Sequence, residues 1–244
     1  MRYAKKWVIC ALIFIVGISL VSGVFNLKES FENDEPQIDY YVISMKGQDK
    51  RINNIQTQQK KINTVINVFD AIIGEDVDMD NVPDQIVAEE FKEDSKHRKR
   101  EIGCFLSHYY ILKLIESDGN PDGYTVIFED DFNIIVDGFE EKLKSTLDSM
   151  SEHDFDILYI ETLSNNMGDP LTDDVCHIDT TKDFYGTQAY IVNNASIDRL
   201  LDATWKIDMP IDIKYREAIK SKDLTAYTFC PFLTKSADLE TTLY

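Results

Sequence analysis

Apolar and polar positions along this chain sort most of it into short strands and amphipathic helices. Residues 40–45 (Tyr-Tyr-Val-Ile-Ser-Met) are apolar on both faces, which predicts a central strand. Residues 47–49 predict a turn, residues 50–63 a helix with a strongly polar face, and residues 65–69 a second strand closed by residues 71–74. Residues 75–98 run acidic and then basic with little periodicity, and predict a long loop with room for one helical turn. Loops of that length inside a domain are usually functional or mobile. From Glu101 to Ser117, Ile102, Phe105, Leu106, Tyr109, Leu112 and Ile115 fall on one helical face. Turn residues at 118–123 end that helix, and a strand from Tyr124 to Phe128 follows. The remaining pattern predicts helices over 139–150, 195–205 and 213–220, and strands over 155–160, 185–192 and 224–230. Strands alternating with helices imply an α/β fold with a mostly parallel central sheet.

The N-terminus has a different pattern. Residues 7–25 are uncharged and follow Arg2, Lys5 and Lys6. As a helix this run would span ~28 Å, close to the hydrocarbon thickness of a bilayer. Its positive flank predicts a single-pass transmembrane helix, a cytoplasmic N-terminus, and the rest of the chain across the membrane. The rival is a signal peptide cleaved near Val21-Ser22-Gly23, which would leave a secreted or luminal protein. Residues 26–37 then form a polar stalk, and residues 38–244 the soluble domain.

Charge narrows the function. Asp and Glu number 44 against 25 Lys and Arg, a net charge of −19, so nothing in the composition favours nucleic acid as a partner. There is no CxxC and no zinc-type Cys/His spacing. Beyond Cys10, the cysteines Cys104, Cys176 and Cys230 allow one disulfide or three thiols. No GxGxxG follows the first strand and no P-loop occurs, which argues against a dinucleotide oxidoreductase and a P-loop NTPase. Ser107 lacks a G-x-S-x-G context, so a serine hydrolase is disfavoured.

The densest chemistry is the triplet Glu129-Asp130-Asp131 at the end of the Tyr124 strand. Open α/β folds bind ligands beyond the carboxyl ends of their strands. Alternate residues of an extended segment point the same way, so Glu129 and Asp131 could share one divalent cation while Asp130 faces elsewhere. Crowded carboxylates repel unless a positive charge sits among them. The alternative is a solvated acidic turn. A second cluster lies in residues 99–108, where Gly103 sits one helical turn below Ser107, and Cys104 one turn below His108. Glycine inside a helix costs up to ~1 kcal/mol against Ala, which suggests a close approach there. Ser107 and His108 could bond a ligand's hydroxyls or phosphates, or serve packing alone. Asp212, after Pro210, is either a helix N-cap or a general base. Lys46 and Arg51 follow the first strand and could face a phosphate, or Arg51 could equally be a solvated helix residue.

Taken in order, these segments resemble glycosyltransferase family 25, which includes lipooligosaccharide and collagen galactosyltransferases. The resemblance rests on Ile43 to Arg51, Phe69-Asp-Ala-Ile-Ile-Gly74, Glu101-Ile-Gly-Cys-Phe-Leu-Ser-His108, Tyr124 to Asp131, Tyr185-Gly-Thr-Gln-Ala-Tyr190 and Pro210-Ile-Asp212. Ser44 stands where the family usually has Asn, and Gly47 where a basic residue is common. The resemblance implies a GT-A fold, a UDP-sugar donor, a glycan or glycoprotein acceptor, and Mn2+ or another divalent cation. It further implies inversion at the anomeric carbon, with a base to deprotonate the acceptor hydroxyl. Under it, Asp212 and then Asp130 are the candidate bases, and Glu129 and Asp131 the metal ligands. Lys46, Arg51, Gly103, Ser107 and His108 become the donor contacts. The departures at Ser44 and Gly47 motivate the alternative of an inactive, carbohydrate-binding or scaffold relative.

Overall fold

The computed structural model describes residues 36–82, 85–92, 95–164, 166–237 and 239. The N-terminal half contains β1 (Ile38–Ser44), α1 (Asp49–Gln59), β2 (Ile66–Asp70), β3 (Ile86–Val87), α2 (Lys96–Asp118), β4 (Tyr124–Glu129) and β5 (Phe132–Ile134). There follow α3 (Phe139–Ser149), β6 (Ile157–Glu161), β7 (Met167–Pro170), β8 (Val175–Ile178) and β9 (Ala189–Asn193). The chain continues through α4 (Ile197–Thr204), β10 (Lys206–Ile207), α5 (Ile211–Ser221), β11 (Ala226–Phe229) and β12 (Thr234–Ser236).

Eight strands form the main sheet, in the order β2-β1-β4-β9-β6-β11-β8-β7. The sheet is mixed, which corrects the mostly parallel arrangement expected from the alternation of strands and helices. β1 runs parallel to β2 and β4, and β6 parallel to β11. β9 runs antiparallel to both β4 and β6, and β8 antiparallel to β11 and β7. The reason lies in residues 162–188. Parallel neighbours need a long crossover, usually a helix. This stretch has no helix among its described residues, so the chain returns by antiparallel pairing.

Side chains of the central strands alternate between two apolar layers. Tyr40, Val42, Val126, Phe128, Leu158, Ile160 and Ile191 pack with Ile55 of α1 and with Phe139, Leu143 and Leu147 of α3. Ile43, Ile127, Tyr159, Tyr190 and Val192 pack on the other face, with α2, Leu200 of α4 and Tyr215 of α5. Burial on both faces is why these strands are near-continuous apolar runs rather than alternating ones. Of the disulfide options left open by the sequence, Cys176 and Cys230 are bonded, joining β8 to the end of β11, and Cys104 is free.

Helix α2 begins at Lys96, five residues before the apolar periodicity. Ser95 caps it, its side-chain oxygen accepting from the Arg98 N–H at 3.2 Å. The added turn is wholly polar, so hydrophobic periodicity carries no trace of it. The expected single-pass helix at residues 7–25 is also corrected. Among the described residues no helix is long and apolar enough to cross a membrane. Even α2, the longest described helix, has charged residues at both ends and only 11 residues free of Asp, Glu, Lys and Arg between them, at positions 102–112. Residues 7–25, on which the expected membrane contact and cytoplasmic N-terminus rest, lie outside the described residues.

Candidate active site

A cleft of about 550 Å³ opens beyond the carboxyl end of β4. Glu129 ends that strand, and Asp130 and Asp131 form the turn into β5. Glu129 and Asp131 line the cleft. Asp130 points the other way and is fully buried in an ion pair with Arg51 of α1. Asn54 tightens the same turn by donating to the backbone oxygens of Asp130 at 3.0 Å and Phe132 at 2.8 Å. Arg51 is buried yet also reaches the cleft wall.

The charge state of the two lining carboxylates differs for physical reasons. Burial opposes ionisation of Glu129, but contacts with His108 and Thr187 and the Arg51 charge outweigh it, and its pKa falls below the usual value. The Thr187 hydroxyl donates to Glu129 Oε1 at 2.7 Å. Asp131 has no such support. Burial and the neighbouring Glu129 charge raise its pKa to about 6. Its Oδ1 is buried without a hydrogen-bond partner among the described residues. An ionised carboxylate beside an orphaned carboxylate oxygen is a donor set for a hard divalent cation.

Helix α2 forms one wall. His97, Arg100, Glu101 and Cys104 line the cleft, and His108 lies further along the same helical face. His97 and Arg98 both pair with Glu101. His108 is fully buried, with Nδ1 2.9 Å from the Tyr190 hydroxyl and Nε2 3.5 Å from Glu129 Oε1. Cys104, His108 and Glu129 each place one ligand atom within 4.8 Å of the other two. Burial, with the charges of Glu129, Asp212 and Glu101, pushes the Cys104 thiol well above its usual range, so it is no ready nucleophile.

Asp212 lies in the first turn of α5 and lines the cleft with Pro210, Ile211 and Ile213. Its Oδ2 accepts from the Gly186 N–H at 3.2 Å and its Oδ1 from the Ile213 N–H at 2.8 Å. Gly186 has φ +102°, and a Cβ there would collide with Gln188 and Leu163, so only glycine lets the loop turn its N–H toward Asp212. The segment Tyr185–Gln188 is therefore a loop leading into β9, where the sequence pattern predicts the start of a strand.

The other candidates sit elsewhere. Gly103 faces the backbone of Ile72 and Gly74: a Cβ on it would stand 2.5 Å from the Ile72 oxygen, and one on Gly74 would overlap the Lys99 carbonyl. Ser107 is fully buried, accepts from the Ile72 N–H at 2.8 Å and donates to the Gly103 oxygen at 2.7 Å. Together they dock residues 72–74 onto α2. Lys46 is exposed and pairs with Asp70 at 2.7 Å. The sequence pattern missed Arg100, Thr187 and Glu161. Arg100 has no ion-pair partner among the described residues, and the Ser95 cap was the one signal for the turn that carries it. Glu161 is buried, accepting from Thr234 at 3.0 Å and from the Ser236 N–H at 2.7 Å.

A mixed α/β sheet with a candidate metal-binding cluster between the end of β4 and helix α2 supports a metal-assisted transferase. The chain belongs to glycosyltransferase family 25: the family described as glycosyltransferase family 25 (LPS biosynthesis protein) matches residues 37–214. That span holds Arg51, the α2 face, the Glu129–Asp131 turn and Asp212. No curated protein matches the chain.

Proposed function

We propose that this protein transfers a hexose, galactose or glucose, from a UDP-sugar to a hydroxyl of a glycan or protein acceptor, with inversion. The observation that carries the proposal is the pairing of Glu129 and Asp131 on a cleft that Asp212 also lines. Glu129 and Asp131 would hold a divalent cation such as Mn2+, their oxygens suiting a hard ion. When bound, that ion neutralises the charge of the departing UDP.

The remaining steps belong to side chains. Thr187 and His108 keep Glu129 ionised and oriented. Asp212 takes the acceptor's hydroxyl proton on a carboxylate oxygen as that hydroxyl attacks the anomeric carbon. The bond from the anomeric carbon to the UDP oxygen breaks as the bond to the acceptor oxygen forms. The amides of Gly186 and Ile213 hold the Asp212 carboxylate in place for this transfer. Arg100 supplies positive charge to a cleft otherwise rich in carboxylates.

The test is a panel of common UDP-sugars incubated with the purified protein and Mn2+. Metal-dependent UDP release from one donor is expected, slow without acceptor. Asp131→Asn should abolish metal-dependent UDP binding. An enzyme that releases UDP from no donor and binds no UDP in the presence of metal would refute the proposal.

A further inference from the structure

We propose that Cys104, His108 and Glu129 form a second, thiophilic metal site, which binds Zn2+ or a similar borderline-soft divalent cation and, when filled, draws Glu129 away from the donor-metal pair. Metal binding at the cluster stands on its geometry alone. Its competition with Mn2+ rests on the function proposed above.

Several independent features mark a built site. The contact between His108 Nε2 and Glu129 Oε1 is 3.5 Å, and Nε2 has no hydrogen-bond partner among the described residues although it is buried. That separation is long for a hydrogen bond. It suits two ligands of one ion, because tetrahedral ligands at bond lengths of about 2.0–2.3 Å stand roughly 3.3–3.8 Å apart. Cys104 lies one helical turn before His108 on the same face of α2, and all three ligand atoms lie within 4.8 Å of one another. A modest side-chain contraction closes the set.

The surroundings of the histidine match those of a ligand. Its other ring nitrogen is 2.9 Å from the Tyr190 hydroxyl, which fixes the ring so that Nε2 faces the cluster. Metal-bound histidines almost always have such an outer partner. Cys104 and Glu129 also line the open cleft, which leaves a fourth position for water. The ligand types decide the ion. A thiolate and an imidazole select Zn2+ over Mn2+, and Mn2+ binds most weakly in the divalent series. Glu129 and Asp131 alone offer oxygen. Glu129 thus belongs to both sets, and a cation held through its Oε1 beside His108 competes with Asp131 for the carboxylate's orientation and repels a second cation next to it.

The full chain titrated with Co2+, a spectroscopic substitute for Zn2+, tests the binding. A thiolate-to-Co2+ charge-transfer band and tetrahedral visible bands are expected in the wild type, displaced by Zn2+. Cys104→Ser should lose the charge-transfer band, a comparison that separates Cys104 from Cys10. Tyr190→Phe, which keeps the ring and removes the hydroxyl, should weaken Co2+ binding about 10–100-fold. Circular dichroism and thermal unfolding check that both variants fold. Competition is read from the electron paramagnetic resonance of free Mn2+, which should rise when Zn2+ is added to the Mn2+-loaded wild type. The same Zn2+ should release little Mn2+ from Cys104→Ser. Absence of the charge-transfer band, or its survival in Cys104→Ser, overturns the site. Equal Mn2+ release from both proteins overturns the competition. A protein that shows the band but retains no Mn2+ keeps the thiophilic site and sinks the donor-metal assignment instead.

Discussion

Arg51 and Asp130 form an ion pair inside the protein, with the arginine 4% exposed and the aspartate 0%. The pair ties α1 to the tip of β4 and turns Asp130 away from the cleft that its neighbours line. Removing one partner would leave a buried charge uncompensated. Arg51→Ala is therefore expected to destabilise the fold by about 3–5 kcal/mol, read from urea unfolding. Arg51→Lys should recover only part of that, because an ammonium lacks the planar fork. A loss near zero would mean the pair does not hold the turn.

Ser107 separates packing from donor binding. Its hydroxyl satisfies the Ile72 N–H and lies outside the cleft lining. Ser107→Ala should lower stability by about 1–3 kcal/mol, the cost of a stranded buried donor. UDP affinity, measured calorimetrically, should be unchanged. A selective loss of UDP binding at unchanged stability would make Ser107 a donor contact after all.

Asp131 sets a pH dependence in the metal-free protein. Its pKa is about 6 when folded, against an ordinary 3.8, so the folded state holds that proton more tightly. The resulting stabilisation is fully present below about pH 4 and is lost as pH rises through about 6. Urea unfolding across that range should show a loss on the order of 3 kcal/mol from this group. Asp131→Asn should flatten the profile, and saturating Mn2+ should offset the loss by binding the ionised form. A wild-type profile identical to that of the variant would count against the repulsion between Glu129 and Asp131.

Asp212→Asn tests the base. The amide keeps the shape and one carbonyl oxygen but takes up no proton. Transfer to acceptor should fall about 10²–10⁴-fold in kcat, while metal-dependent UDP affinity stays level. Comparable kcat in the variant would remove Asp212 from proton transfer.

Much of this molecule is legible along the chain. Val126–Phe128 and Ile157–Ile160 are apolar because both sheet faces are covered, and their shortness together with the turn residues before them marks them as strands. Segments with weak patterns were not legible. Met167–Pro170 carries almost no apolar alternation, yet it pairs at the sheet edge through its backbone. Residues 96–100 are polar, so the first turn of α2, with His97 and Arg100, was invisible to hydrophobic periodicity. Tyr185–Gln188 has the composition of a strand, but the positive φ of Gly186 makes it a loop.

The sequence by itself determined the strand-to-turn position of Glu129-Asp130-Asp131 and the helical spacing of Cys104 and His108. Those follow from local periodicity, since neighbours on one strand or helix have fixed relative directions. Tertiary structure alone decided what each polar group meets. Ser107 bonds to a backbone amide 35 positions away, and Glu129 to a hydroxyl 58 positions away. Asp212 accepts from an amide 26 positions away. The sheet is mixed for the same kind of reason: the direction of β9 is set by its pairing with β4 and β6, strands far from it in sequence. A buried polar group must find a partner, and which partner it finds depends on packing between distant segments, for which local periodicity has no term.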